Sequence, residues 1–94
     1  MIEDGFEWDK DKDAANFAKH GISFEQVKGV FSDPFAIEFL DDRQDYGEDR
    51  YILIGMTEAR ILTVVFIERD ERVRIISARK AEPHEQRRNH EENG

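Results

Sequence analysis

Six basic residues, Arg72, Arg74, Arg79, Lys80, Arg87 and Arg88, fall between Glu71 and His90, where only Glu71, Glu82 and Glu85 oppose them. The stretch RIISARKAEPHEQRR crosses the end of an apolar, strand-like run and enters a charged helix opened by Pro83. Guanidinium groups gathered in this way can clamp a phosphate through paired, charge-assisted hydrogen bonds. Arg74 issues from the same strand as Arg79 and Lys80, and Arg87 and Arg88 return from the following helix. Arg79, Lys80 and Arg87 are therefore expected to converge on one anion pocket. The plainer alternative is a solvated strand end whose arginines pair with Glu82 and Glu85.

Such a pocket suits RNA, which carries its own nucleophile in the 2′-OH. Cleavage requires removal of that proton, stabilisation of charge on the phosphoryl oxygens, and a proton for the leaving 5′-oxygen. Arginine supplies the middle requirement, and a carboxylate or histidine the other two. Glu85, one turn into the final helix, is the best-placed carboxylate. His20 closes the first helix, where an imidazolium is also favoured simply by the helix dipole. Trp8 could stack on a base or join the core.

Other chemistries lack their parts. The chain has no cysteine, which excludes disulfides, thiolate catalysis and Cys-ligated zinc. His20, His84 and His90 have no metal-ligand spacing, and the DKDKD run lacks the glycine of a calcium loop. Ser77 stands outside any Gly-x-Ser-x-Gly context, and the six glycines form no phosphate-cradling loop. No metal and no cofactor is expected.

The formal net charge is −8 over 94 residues, and it is unevenly placed. Residues 1–50 hold six Lys/Arg against fourteen Asp/Glu, whereas residues 51–94 hold eight of each. Phosphate binding responds to the local field, so the acidic total does not exclude a nucleic acid. The acidic half also suits a basic protein partner. The length fits one domain over 1–94. MIEDGFEWDK starts acidic, without the apolar core of a secretory signal, and no apolar run approaches the roughly 20 residues of a membrane span. A cytoplasmic protein without membrane contact is expected.

These residues must be positioned by a small α+β fold. GFEWD reads as a short strand, after which Asp9 caps a helix from Lys10 to His20, with Ala14, Phe17 and Ala18 on one face and Gly21 closing it. Ser23 and Gln26 have capping-box spacing, Ile22 and Val27 that of a hydrophobic staple, and Phe24, Val27 and Phe31 form the buried stripe. Pro34 ends this second helix. FAIEFL, RYILIGMT, ILTVVFIE and RVRIISA read as strands; the last three form an antiparallel meander joined by turns at EAR and RDE. The predicted order is β-α-α-β-β-β-β-α: a four-stranded antiparallel sheet with the two N-terminal helices on one face, a C-terminal helix from Pro83, and a frayed tail over 89–94.

FEWDKDKDAANFAKHGISFEQV, VFSDP, the EDR before YILIG, and RVRIISARKAEPHEQRR together resemble the BrnT toxins of type II BrnT–BrnA toxin–antitoxin modules, over about residues 6–88. The pairing of KHGISFE with a distant IISARKA carries most of the specificity. The resemblance implies a RelE-like domain that cleaves RNA without a metal and inhibits translation. It also implies neutralisation by a BrnA-like ribbon-helix-helix antitoxin in a heterotetramer, which alone brings the complex to operator DNA. The family's recurring polar positions fall on Trp8, Asp9, Lys19, His20, Arg50, Arg79 and Glu85. On this reading Arg79, Arg50, Glu85 and His20 are the catalytic candidates, and Lys80, Arg74, Arg87, Arg88, Trp8 and Lys19 contact RNA. Asn89 departs from the family, which usually carries an aromatic there. The rival reading is a catalytically weak module that retains antitoxin binding and co-represses the operon.

Overall fold

The computed structural model describes residues 2, 3, 5–43, 45 and 47–93, with the backbone alone at 2 and 3. Gln44 and Tyr46, in the expected acidic loop, and Gly94, in the expected tail, lie outside the described residues. The elements are β1 (Ile2–Glu3), β2 (Phe6–Glu7), α1 (Lys10–His20), α2 (Phe24–Val27), a 3-10 turn (Lys28–Ser32), β3 (Ile37–Asp41), β4 (Arg50–Thr57), β5 (Arg60–Arg69), β6 (Arg72–Lys80) and α3 (Pro83–Asn93). Among the described residues, no helix is long and apolar enough to cross a membrane.

The α+β class and the element order follow the sequence, but the sheet differs. It has six strands in the order β1-β2-β6-β5-β4-β3 and is mixed, because β2 pairs in parallel with β6. The meander β4-β5-β6 forms with two-residue turns at Glu58-Ala59 and Asp70-Glu71, all four at positive φ. That is the backbone such hairpins need to match strand twist. The extra strands arise locally: Gly5, at φ +83°, turns the chain back, and its carbonyl accepts from Val73 N–H at 2.9 Å. This docks Phe6 and Glu7 beside β6, on an edge that the sequence reading leaves bare.

Each sheet face carries its own apolar layer. Leu53, Leu62, Val64, Phe66, Ile75 and Ala78 pack against Trp8, Ile22, Phe24, Val27 and Val30. Phe31 links the layer to the N-terminus, with ring centroids 5.1 Å from both Phe6 and Phe66. On the opposite face Ile37, Ile52, Ile54 and Ala81 gather with Phe39, Ile61 and Val65.

Helix α1 is attached by polar groups and not by its apolar stripe. Ala14 and Ala18 are exposed and Phe17 is 56% exposed; the buried residue is Asn16. Its amide donates to the carbonyls of Ile22 (2.9 Å) and Ala78 (2.8 Å) and accepts from Ala78 N–H (3.1 Å). Asp13 accepts from Phe24 N–H at 2.8 Å. The reason is placement: α1 lies against the edge of β6, where backbone groups need partners more than apolar side chains need cover. The caps form as expected. Asp9 accepts from Asp11 and Lys12 N–H, Ser23 and Gln26 complete the capping box, and Gly21 at φ +70° closes α1.

Helix α3 extends where a frayed tail is expected, reaching Asn93. It buries no residue of its own and is docked by side-chain amides instead. Asn89 donates to the carbonyls of Phe35 (3.1 Å) and Ile54 (3.0 Å), and Asn93 donates to Phe35 at 2.6 Å.

Candidate nucleic-acid interface

Strand register decides which basic side chains share a surface. Directly paired residues lie on one face of a sheet, and neighbours along a strand alternate. Arg79 pairs with Thr63, which pairs with Ile54 of the second apolar layer. Arg79 therefore projects on the face away from α1 and α2. Arg50 alternates with Ile52 and Ile54 onto this face, and Arg74 reaches it through its pairing with Ile67. Asp41, paired with Arg50, also lies there. Arg88 reaches in from α3, its guanidinium 3.8 Å from the centroid of the Phe39 ring.

Each of these cations is held. Arg79 makes a bidentate bond to Glu85, at 2.7 and 2.9 Å. Glu85 also accepts from Glu82 N–H at 2.8 Å and is only 12% exposed. Arg74 lies 3.7 Å from Glu7, and Arg50 Nε 3.7 Å from Glu48. Arg43 forms a second bidentate pair, with the buried Asp41, at 2.8 and 2.9 Å. Arg79 and Arg43 are thus preordered by their bidentate pairs, which lowers the ordering cost of meeting an anion, although each arginine here already faces a carboxylate.

Burial works to raise the Glu85 pKa, but the Arg79 guanidinium, the Glu82 N–H and a smaller Thr63 contribution together bring it down to about 2. The Thr63 hydroxyl is buried beneath the pair and meets no partner at good hydrogen-bond geometry among the described residues, so the Arg79 and Glu82 hydrogen bonds carry the shift. Arg79 is raised in turn, first by the Glu85 hydrogen bond. A depressed carboxylate stabilises the fold above its unfolded pKa of 4.5, and that stabilisation is lost as pH falls toward 2. Discounted for the solvent that reaches Arg79, the pair contributes about 1–2 kcal/mol to the stability difference between pH 7 and pH 3. Urea midpoints at both pH values should show that difference shrinking in Glu85→Gln; an unchanged pH dependence would remove Glu85 as the titrating group.

The expected convergence of Arg79, Lys80 and Arg87 does not form. Lys80 pairs with Leu62 of the helix-side layer, so it points to the opposite face from its neighbour Arg79. Arg87 follows Glu85 by two helical positions, about 200° around the axis. It lines a separate groove with Ile61, Pro83, Gln86 and His90. Trp8 is 3% exposed and packs edge-on to Phe24, so it cannot stack on a base. Lys19 and His20 line another groove with Lys12, Ile76 and Ser77, between α1 and the β6 bulge. Glu85 has its carboxylate occupied and held ionised, which is unsuited to donating a proton. Asn89 faces the seam between α3 and the sheet, bonded to backbone, and does not stand in for an aromatic on the substrate side.

Three residues escaped the sequence reading. Asp41 and Arg43 carry a signal only in hindsight: in IEFLD, Asp41 falls in phase with Ile37 and Phe39, which places a carboxylate on an inward-facing position. Asn16 gave no signal, because a helix pattern read for apolar residues passes over a buried amide. Among the described residues, no cluster of His, Asp or Glu could hold a metal ion.

No curated protein matches the chain. A family model does, over residues 8–85, and it is described as the ribonuclease toxin, BrnT, of type II toxin-antitoxin systems. The matched span contains Arg50, Arg74, Arg79 and Glu85, the residues that β4, β6 and α3 bring to the open face. The chain belongs to the BrnT family of type II toxin–antitoxin ribonuclease toxins.

Proposed function

We propose that this protein is a metal-independent endoribonuclease toxin on a RelE-like scaffold, cutting RNA on the sheet face that carries Arg50, Arg74 and Arg79. The observation that carries the reading is the Arg79–Glu85 pair: a guanidinium fixed by two hydrogen bonds and still a third exposed. The 2′-oxygen attacks phosphorus, the P–O2′ bond forms and the P–O5′ bond breaks. Solvent takes the 2′-OH proton and returns one to the 5′-oxygen. Arg79 and Arg50 neutralise the charge that gathers on the non-bridging oxygens, a contribution worth about 10²–10³-fold per well-placed donor. Glu85 acts by holding Arg79, and Arg88 over Phe39 extends the positive path. Lys19 and His20 contact flanking nucleotides around the β6 edge.

RNA loss then slows translation. The partner is a BrnA-like ribbon-helix-helix antitoxin, bound as a heterotetramer, which covers the arginine face with an acidic or helical segment and carries the toxin to operator DNA. Because the covered face is charged, affinity should fall with added salt. Induction of the gene alone, then with its neighbour, tests the reading. Arrest relieved by the neighbour, with cleavage that persists in chelator, is expected. Absence of arrest at full expression would instead favour a binding module without catalysis, and cleavage lost in chelator would exclude the metal-free scheme.

A further inference from the structure

We propose that the outer edge of β3 is a docking site for a basic, extended segment of a protein partner, which joins the sheet as a further strand. The proposal does not depend on the RNA reading above, and it uses residues that the RNA reading leaves idle.

The sheet has two ends. At one end β1 offers only two residues, Ile2–Glu3, whereas at the other β3 offers five, Ile37–Asp41. Among the described residues, β3 pairs with β4 on one side and with no strand on the other. An edge of this kind presents main-chain donors and acceptors that an added strand can match. Proline, lysine and a bulge commonly blunt such edges, and β3 has none of them. Side chains favour the same use. Glu38 and Leu40 alternate onto the helix-side face, paired with Leu53 and Tyr51 of that apolar layer. Both are exposed, Leu40 at 49%, so an added strand would cover an apolar side chain at the rim of the layer.

Charge selects the occupant. Residues 38–49 hold six Asp/Glu against one Arg, so most of the formal −8 gathers at this edge. Arg43 is bound to Asp41, and Arg50 lies beside Glu48. Glu38, Asp42, Asp45 and Asp49 have no ion pair among the described residues, and all four are exposed. Two β3 edges brought together would set these carboxylates against one another, which disfavours a second copy of this chain. A strand with Lys or Arg opposite Glu38 and an apolar residue opposite Leu40 satisfies both positions. The acidic N-terminal half, which RNA binding leaves unexplained, thereby acquires a role.

The test adds a short capped peptide, Lys-Thr-Val-Thr repeated, to the full chain at low salt and follows amide hydrogen exchange. Amides of β3 that point away from β4 exchange readily in the protein alone. The peptide should slow them about tenfold and leave α1 unchanged. The same peptide methylated at every peptide nitrogen keeps its charges but has no main-chain donor, and it should protect nothing. The double variant Glu38→Lys with Asp42→Lys alters only exposed side chains. It should weaken the lysine peptide about tenfold and admit a glutamate counterpart. Absence of binding, equal protection by the methylated peptide, or protection confined to other elements would overturn the proposal. Protection of β3 in the protein alone, rising with its concentration, would assign the edge to a second copy and overturn it as well. No arm involves RNA, so failure of the nuclease reading would leave these results unchanged.

Discussion

Arg79→Ala lowers RNA cleavage by about 10²–10³-fold and relieves growth arrest, the largest effect on activity expected of any single substitution here. The loss follows from charge: the group closest to a preorganised fork on the open face disappears, and no neighbour on β6 can replace it, since Lys80 projects to the other face. Glu85→Gln should reduce cleavage less, by about 10–100-fold, because an amide keeps one acceptor for Arg79 but loses the ionic pair. The two roles open to Glu85 are separable. A positioning residue changes the height of the pH–rate profile and leaves its shape; a proton carrier removes a limb of that profile. Retention of the profile shape in Glu85→Gln is expected. An Arg79→Ala enzyme that cleaves at wild-type rate would exclude Arg79 from the reaction, and Arg79→Gln serves as the check where alanine unfolds the protein.

Asn16→Leu destabilises the fold by about 3–5 kcal/mol, the largest stability effect expected from a polar residue. Leucine matches the amide closely in size and leaves three buried backbone groups, on Ile22 and Ala78, without partners. For a domain of this size that is a melting shift on the order of 10–25 °C. Asn16→Asp separates hydrogen bonding from volume. The carboxylate can still accept from Ala78 N–H, but it meets the Ile22 and Ala78 carbonyls as a charge, so stability should partly recover when the solution is made mildly acidic. A leucine variant that melts within a degree or two of wild type would show that the β6 edge needs no such bridge.

Much of the local structure is written in short-range chemistry. Asp9, Ser23 with Gln26, Gly21 and Pro83 mark helix ends through hydrogen bonds and dihedrals that span four residues or fewer, and they fall where expected. The meander was readable for the same reason, since two-residue turns leave little freedom in how β4, β5 and β6 pair. The family, too, could be read from motifs alone. What α1 does could not. A helical repeat at Ala14, Phe17 and Ala18 predicts an apolar seam, but the helix meets a strand edge whose needs are polar.

The candidate site divides along the same line. That arginines gather near the end of β6 is a property of the chain, fixed by composition and spacing. Which of them face one another is decided by strand alternation, a β-bulge and the angle at which α3 leaves the sheet. Arg79 and Lys80 are covalent neighbours on opposite faces, whereas Asp41 and Glu85 come from distant elements to grip arginines on one surface. A one-residue change in phase reverses the direction of a strand side chain, and no local preference encodes it. The chain thus determines which charges exist and roughly where; packing of β3, β6 and α3 determines that they form one surface.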